Sequence, residues 1–181
     1  MHGQVYRRYV NELCGEAARG IWDRTPPNDR YADAVQRLLF MTWAHESDQF
    51  KASRQYGLTW RSDIGGWGPC QIELGSVTDS MRLLERKPNL AKRVAQFIGN
   101  SGRAEIDWLL EMTPEQVLRL LAASERVSAA FCRLHYLRVP AAIPDGLNEA
   151  SEYAKKYYNT HLGKATPEQY LRAYRTAMGG L

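Results

Sequence analysis

The stretch Phe40–Glu73, FMTWAHESDQFKASRQYGLTWRSDIGGWGPCQIE, ends an apolar helical run on one carboxylate, Glu46, and then enters a Gly- and Trp-rich turn leading to an amide, Gln71. Glu46 follows Trp43 by three residues and Thr42 by four, so helical spacing places it on or beside the buried face. A carboxyl set among Phe40, Trp43 and Phe50 has its charged form disfavoured by desolvation, and its pKa rises toward neutrality. That is the state needed of a side chain that donates a proton in general acid catalysis. Taken alone, Glu46 has a plainer reading as a helix-surface glutamate. The apolar run before it and the amide-bearing turn after it decide against that reading.

Working outward, nearly all of the chain reads as helix. Val5, Tyr9, Leu13, Ala17 and Ile21 recur at helical spacing, and Thr25-Pro26-Pro27-Asn28 ends that run. Asn28 or Asp29 caps a second helix with Ala34, Val35, Leu38, Leu39 and Trp43 on its apolar side. The segment from about Tyr56 to Glu73, with Gly57, Gly65, Gly66 and Gly68, is the one candidate for a small irregular or β-containing lobe. Helices resume after Gly75, in two pieces over 76–85 and 89–98, and Gly99-Asn100-Ser101-Gly102 is a break. Thr113-Pro114-Glu115-Gln116 and Thr166-Pro167-Glu168-Gln169 both read as capping boxes with proline at the first helical position. Pro140 to Asp145 separates the helix holding Cys132 from a shorter one reaching Tyr158. No low-complexity linker divides the chain, and 181 residues suit a single domain over 1–181 with a proper core.

Trp60 and Trp67 lie in the loop-rich segment, where a ring either stacks on a ligand or anchors packing. Trp22, Trp43 and Trp108 read as core or helix-face residues. His45 and Glu46 lack the second histidine of a zinc hydrolase motif, since position 49 is Gln49, so no metal is expected there.

Four segments in order carry a family resemblance. Glu46-Ser47, then Gly66-Trp67-Gly68-Pro69-Cys70-Gln71-Ile72, then Ala130-Phe131-Cys132-Arg133-Leu134-His135-Tyr136-Leu137-Arg138, then Tyr157-Tyr158-Asn159-Thr160 with Gly163, resemble the motif series of soluble lytic transglycosylases and goose-type lysozymes. Pro69-Cys70 departs from the usual Leu-Met, and His161 stands where a glycine is typical. The resemblance implies a mainly α, lysozyme-like domain and cleavage of the β-1,4 bond between N-acetylmuramic acid and N-acetylglucosamine, with no cofactor. It implies Glu46 as general acid/base and Tyr158 as a supporting hydroxyl near it. Ser47, Trp67, Gly68, Gln71 and Asn159 would contact the glycan strand.

A second acid decides the route. Hydrolysis needs a carboxylate that positions water or attacks the sugar, and Asp63 and Glu73 lie where goose-type lysozymes carry acids. Their plainer readings are a turn aspartate bonding its own backbone and a solvated charge at a helix start. Lytic transglycosylases need no second acid, because the substrate's own N-acetyl group attacks and the product closes as a 1,6-anhydro sugar. The transglycosylase route is the expectation, and hydrolysis through Asp63 and Glu73 is the alternative. A non-catalytic structural protein on the same scaffold is the rival from another class.

Composition is ordinary for a globular protein: 44% hydrophobic, 24% charged, net charge +4. The basic residues are interleaved with acids rather than clustered, so a nucleic-acid groove is not expected. No secretory signal or membrane-length apolar run is visible, and Cys14, Cys70 and Cys132 share no metal-ligand spacing, which favours reduced buried thiols. A wall-cutting enzyme of the kind the resemblance implies, made without such a signal, resembles phage lysozyme-like proteins. The expectation is a component of a phage virion, partnered by peptidoglycan strands and by other virion proteins, or present in the host cytoplasm before lysis.

Overall fold

A computed structural model describes residues 2–52, 65–99, 108–159 and 164–179. Among them lie α1 (His2–Gly20), α2 (Asp29–Glu46), α3 (Leu74–Arg86), α4 (Pro88–Gly99), α5 (Pro114–Ala123), α6 (Glu125–Leu137), α7 (Leu147–Ala154), a π-helical turn (Lys155–Asn159) and α8 (Pro167–Met178). The protein is mainly helical, as its periodicity predicts. The expected β lobe is not found among the described residues. Residues 65–73 form a tight turn closed by one antiparallel bridge, Trp67 to Ile72, and no strand is present there. The rest of the expected lobe, Tyr56 to Ile64, lies outside the described residues, as does Asp63.

Local chemistry sets the helix starts. The Asn28 side chain accepts from the Tyr31 amide and begins α2. Thr113 and Thr166 each form the full reciprocal capping box with Gln116 and Gln169, so both predicted starts are as read. α1 ends earlier than the proline pair, at Gly20.

Helix α6 is the hub. It packs against α1, α2, α3, α4 and α5 and meets the π-turn. Its run from Val127 to Leu134 is buried on every side, which marks a core helix rather than an amphipathic surface one. Arg133 is buried in that run, and its Nε donates to the Ile21 carbonyl at 3.1 Å. One hydrophobic core draws residues from each of α1 to α8. Trp43 lies in it, whereas Trp108 is 47% exposed on a helical turn and Trp22 is partly exposed beneath the Arg93 guanidinium. Among the described residues no helix is long and apolar enough to cross a membrane.

Candidate active site

Glu46 is the last residue of α2, and the chain leaves the helix through an unusual turn. Asp48, Gln49 and Phe50 all have positive φ, at 47°, 59° and 70°. The Asp48 and Gln49 amides bond back to the His45 and Ala44 carbonyls, a Schellman closure with aspartate in the left-handed position usually held by glycine. Three successive left-handed non-glycine residues are strained, each by roughly 1–2 kcal/mol. The surroundings hold them: Gln49 Nε2 donates to the Ala173 carbonyl of α8 at 3.0 Å, and the Phe50 ring packs on Phe40 and Tyr6.

Ser47 is fully buried within this closure. Its Oγ donates to the Trp43 carbonyl at 2.6 Å and accepts from the Phe50 amide at 2.8 Å. The expected sugar contact at Ser47 is therefore corrected: its hydroxyl is spent on ending the helix.

Burial raises the Glu46 carboxyl to about 7, opposed by a hydrogen bond donated by Tyr170 and reinforced by the negative charge of Glu73. The sign follows from desolvation, which penalises the carboxylate more than the acid. Tyr170 is fully buried on α8, and the His45 ring lies 3.9 Å from its ring centre. Cys70, Tyr136 and Tyr158 all feel the charge of Glu46, so the carboxyl sits where α2, α6, α8, the π-turn and the Trp67–Ile72 turn converge.

The hydroxyl on the acid is thus Tyr170, which the sequence reading missed. Tyr158, expected as a supporting hydroxyl, lies near enough to feel the Glu46 charge, and its own hydroxyl donates to the Cys70 carbonyl at 2.6 Å. A signal for Tyr170 does exist: its capping box sets it on the stripe shared by Ala173 and Ala177, and a buried tyrosine hydroxyl demands a partner.

The Tyr170 bond favours the charged form of Glu46. Tyr170→Phe removes it and should move the Glu46 pKa above its present value, carrying the alkaline limb of any Glu46-dependent activity to higher pH. A pH–rate profile reads this directly, and an unmoved limb would remove Tyr170 from contact with the working acid.

The turn after the undescribed segment is built on close approaches. Trp67 and Ile72 exchange amide–carbonyl bonds of 2.9 Å, and Gly68 and Gln71 lie inside the loop they close. A side chain at Gly68 would meet Ser128 Oγ at 2.3 Å and the Leu121 carbonyl at 2.5 Å, so the loop backbone rests directly on α5 and α6. Gln71 Nε2 donates back to the Gly68 carbonyl at 2.8 Å, which leaves its amide folded onto its own turn. Trp67 is 2% exposed, so the expected ring stacking on a sugar does not occur there; the ring is a packing anchor. Asn159 ends the π-turn and accepts from Lys155 Nζ at 3.1 Å.

Glu73 is exposed and stands immediately before α3, without capping it through its side chain. It is close enough to raise Glu46. Two carboxyl groups of unlike environment are thereby brought together, one buried and one in water. A cavity of about 220 Å³ is lined by Tyr6, Trp43, Ser47, Phe50, Pro69 and Glu125 among others; Glu46, Glu73 and Tyr170 are not among its lining residues. Among the described residues no group of three or more His, Cys, Asp or Glu is placed to hold a metal ion. Cys14, Cys70 and Cys132 are buried free thiols.

No family model, curated protein or solved structure matches this chain.

Proposed function

We propose that the protein cleaves the β-1,4 bond between N-acetylmuramic acid and N-acetylglucosamine in peptidoglycan, with Glu46 as general acid and then base, on a lysozyme-like scaffold. The observation that carries this reading is a helix-end carboxyl raised to about 7 by burial. At neutral pH such a group is half protonated, so it donates to the leaving oxygen and accepts in the second step with little mismatch. We take the transglycosylase route as the primary one: the substrate's N-acetyl group attacks the anomeric carbon, and the sugar's own 6-hydroxyl, deprotonated by Glu46, closes the anhydro ring. No enzyme nucleophile is required. The four motif segments support the assignment in that the Glu46 helix end, the Gly66–Ile72 turn, α6 and the π-turn meet around one carboxyl.

Hydrolysis is the second reading, favoured by one observation, the influence of Glu73 on Glu46. Glu73→Gln separates the two. For a transglycosylase it keeps most of the activity and shifts the Glu46 limb to lower pH, because the like charge that raised the acid is gone. For a hydrolase that uses Glu73 on water it brings a collapse comparable to loss of Glu46 itself. The setting that accompanies this function is a phage virion component acting locally on the wall, with buried reduced thiols fitting assembly in a reducing cytoplasm.

The test is mass spectrometry of fragments released from purified peptidoglycan. Products ending in 1,6-anhydromuramic acid are expected, and reducing muramic acid ends would move the assignment to hydrolysis. No fragments from the folded wild-type chain would leave a structural protein on this scaffold.

A further inference from the structure

The π-turn Lys155–Asn159 carries Tyr158, and its backbone is closed by a side chain from another helix. Carbonyls near a helix C-terminus lack partners within the helix. The Tyr157 carbonyl finds one in His135 Nε2, at 2.8 Å. A carbonyl oxygen only accepts, so Nε2 carries the proton and Nδ1 is left with a lone pair. That lone pair faces two donors: Ser76 Oγ on α3 at 3.0 Å and Arg138 Nη2 at 3.1 Å. Arg138 also donates to Ser76 Oγ at 2.8 Å and pairs with Asp79 at 2.9 Å. The His135 ring lies 4.6 Å from the ring of Tyr158 and meets Tyr136 edge-on at 5.6 Å.

These contacts run in one direction. α3 sets the imidazole, the imidazole sets the π-turn, the π-turn presents the Tyr158 hydroxyl, and that hydroxyl holds the Cys70 carbonyl next to Gln71. We propose that His135 is a positioning residue, which as a neutral imidazole between α3 and the π-turn fixes Tyr158 and, through it, the Trp67–Ile72 turn beside Glu46.

The charged and titratable groups around the ring agree with a neutral imidazole. Arg138 and Asp79 form an ion pair on the α3 side, and Arg82 stands 3.8 Å from Asp79. On the π-turn side Lys156 lies over the Tyr157 ring and Lys155 is bonded to Asn159, while Tyr136 and Tyr158 flank the imidazole. Burial lowers His135 to about 4; the Tyr157 carbonyl opposes that shift and Arg138 adds to it. Above that pH the ring accepts from Ser76 and Arg138. Below it Nδ1 gains a proton and no longer accepts, and the imidazolium then faces the Arg138 guanidinium across 3.1 Å as a like charge.

His135→Leu removes both bonds, and His135→Gln restores a donor and an acceptor on one flexible amide. Tyr158→Phe leaves the π-turn alone and releases only the Cys70 carbonyl. Amide hydrogen exchange at 155–159 should quicken about tenfold or more in His135→Leu, the scale of one lost buried hydrogen bond. It should return toward wild type in His135→Gln and stay unchanged in Tyr158→Phe. Wild-type exchange there should also quicken as pH falls through about 4, relative to the base rate, and that of His135→Gln should not.

The kinetic arm rests on the function proposed above. Both His135→Leu and Tyr158→Phe should lower kcat more than they raise KM, because they loosen a turn beside the acid without touching substrate. An inactive wild type would overturn that function while leaving the exchange results to judge His135. Wild-type exchange at 155–159 in folded His135→Leu overturns the positioning role. Should His135→Leu not fold, a pH response shared equally by wild type and His135→Gln overturns it instead.

Discussion

Glu46→Gln should abolish glycan cleavage and make the protein more stable at neutral and alkaline pH. Removing a positioned general acid typically costs about 10²–10⁴-fold in rate. The stability gain has a separate origin. The carboxyl has a pKa of about 7 in the folded chain against 4.5 when solvated, so between those values the folded state binds the proton that the unfolded state releases. A carboxyl raised in this way contributes its full stability below pH 4.5, and that contribution is lost as pH rises through 7. Glutamine keeps the shape and still accepts from Tyr170, but has no proton to lose. The variant should therefore match wild type near pH 4 and exceed it above pH 7 by at most about 3 kcal/mol, a ceiling because Glu46 keeps some exposure. Urea denaturation at the two pH values measures this. A flat difference between them would mean that Glu46 is ionised and solvated in the fold, and the acid role would go with it.

Gly68→Ala should be the most damaging single methyl addition in the turn. Gly68 has φ of +70°, and the added carbon would lie 2.3 Å from Ser128 Oγ and 2.5 Å from the Leu121 carbonyl. Ser128 Oγ cannot swing clear without giving up its 2.7 Å bond to the same Leu121 carbonyl, and neither group has room to move. Backbone strain and overpacking together should cost roughly 2–5 kcal/mol. The damage should propagate to Glu46, since the Trp67–Ile72 turn would have to lift from α5 and α6. Gly75→Ala is the control. It lies in α3, with nothing within 4 Å of the added carbon, and should gain up to about 1 kcal/mol. Thermal or urea unfolding of the pair tests the argument, and equal small effects would show that the turn does not rest on α5 and α6 as described.

The helices were legible in the sequence because their determinants are local. Asn28 reaches an amide three residues on, and Thr113 and Thr166 do the same with their glutamines. Glu46 was legible as well, since an apolar stripe ending on one carboxylate is itself a statement about desolvation. Its partners were not. Tyr170 is 124 residues from Glu46, and Tyr158 is 88 from the Cys70 carbonyl it holds. Family order put the hydroxyl of Tyr158 near the acid, and packing of α8 across α2 put that of Tyr170 on it. Trp67 reads as a loop residue offering its ring, yet the loop lies flat on α5 and α6 because Gly68 has no side chain, and the ring is enclosed.

The sequence by itself determined where the capped helices α2, α5 and α8 start, much of what faces inward, and that one carboxyl would end an apolar run. Such properties depend on backbone capping and on periodicity, both of which act over a few residues. Tertiary structure alone decided which hydroxyl meets that carboxyl, how far its proton is held toward neutral pH, and which side chains of the motif segments are already spent on the fold. Desolvation and hydrogen bonding depend on what surrounds a group in space, and for Glu46 most of those surroundings come from the other half of the chain.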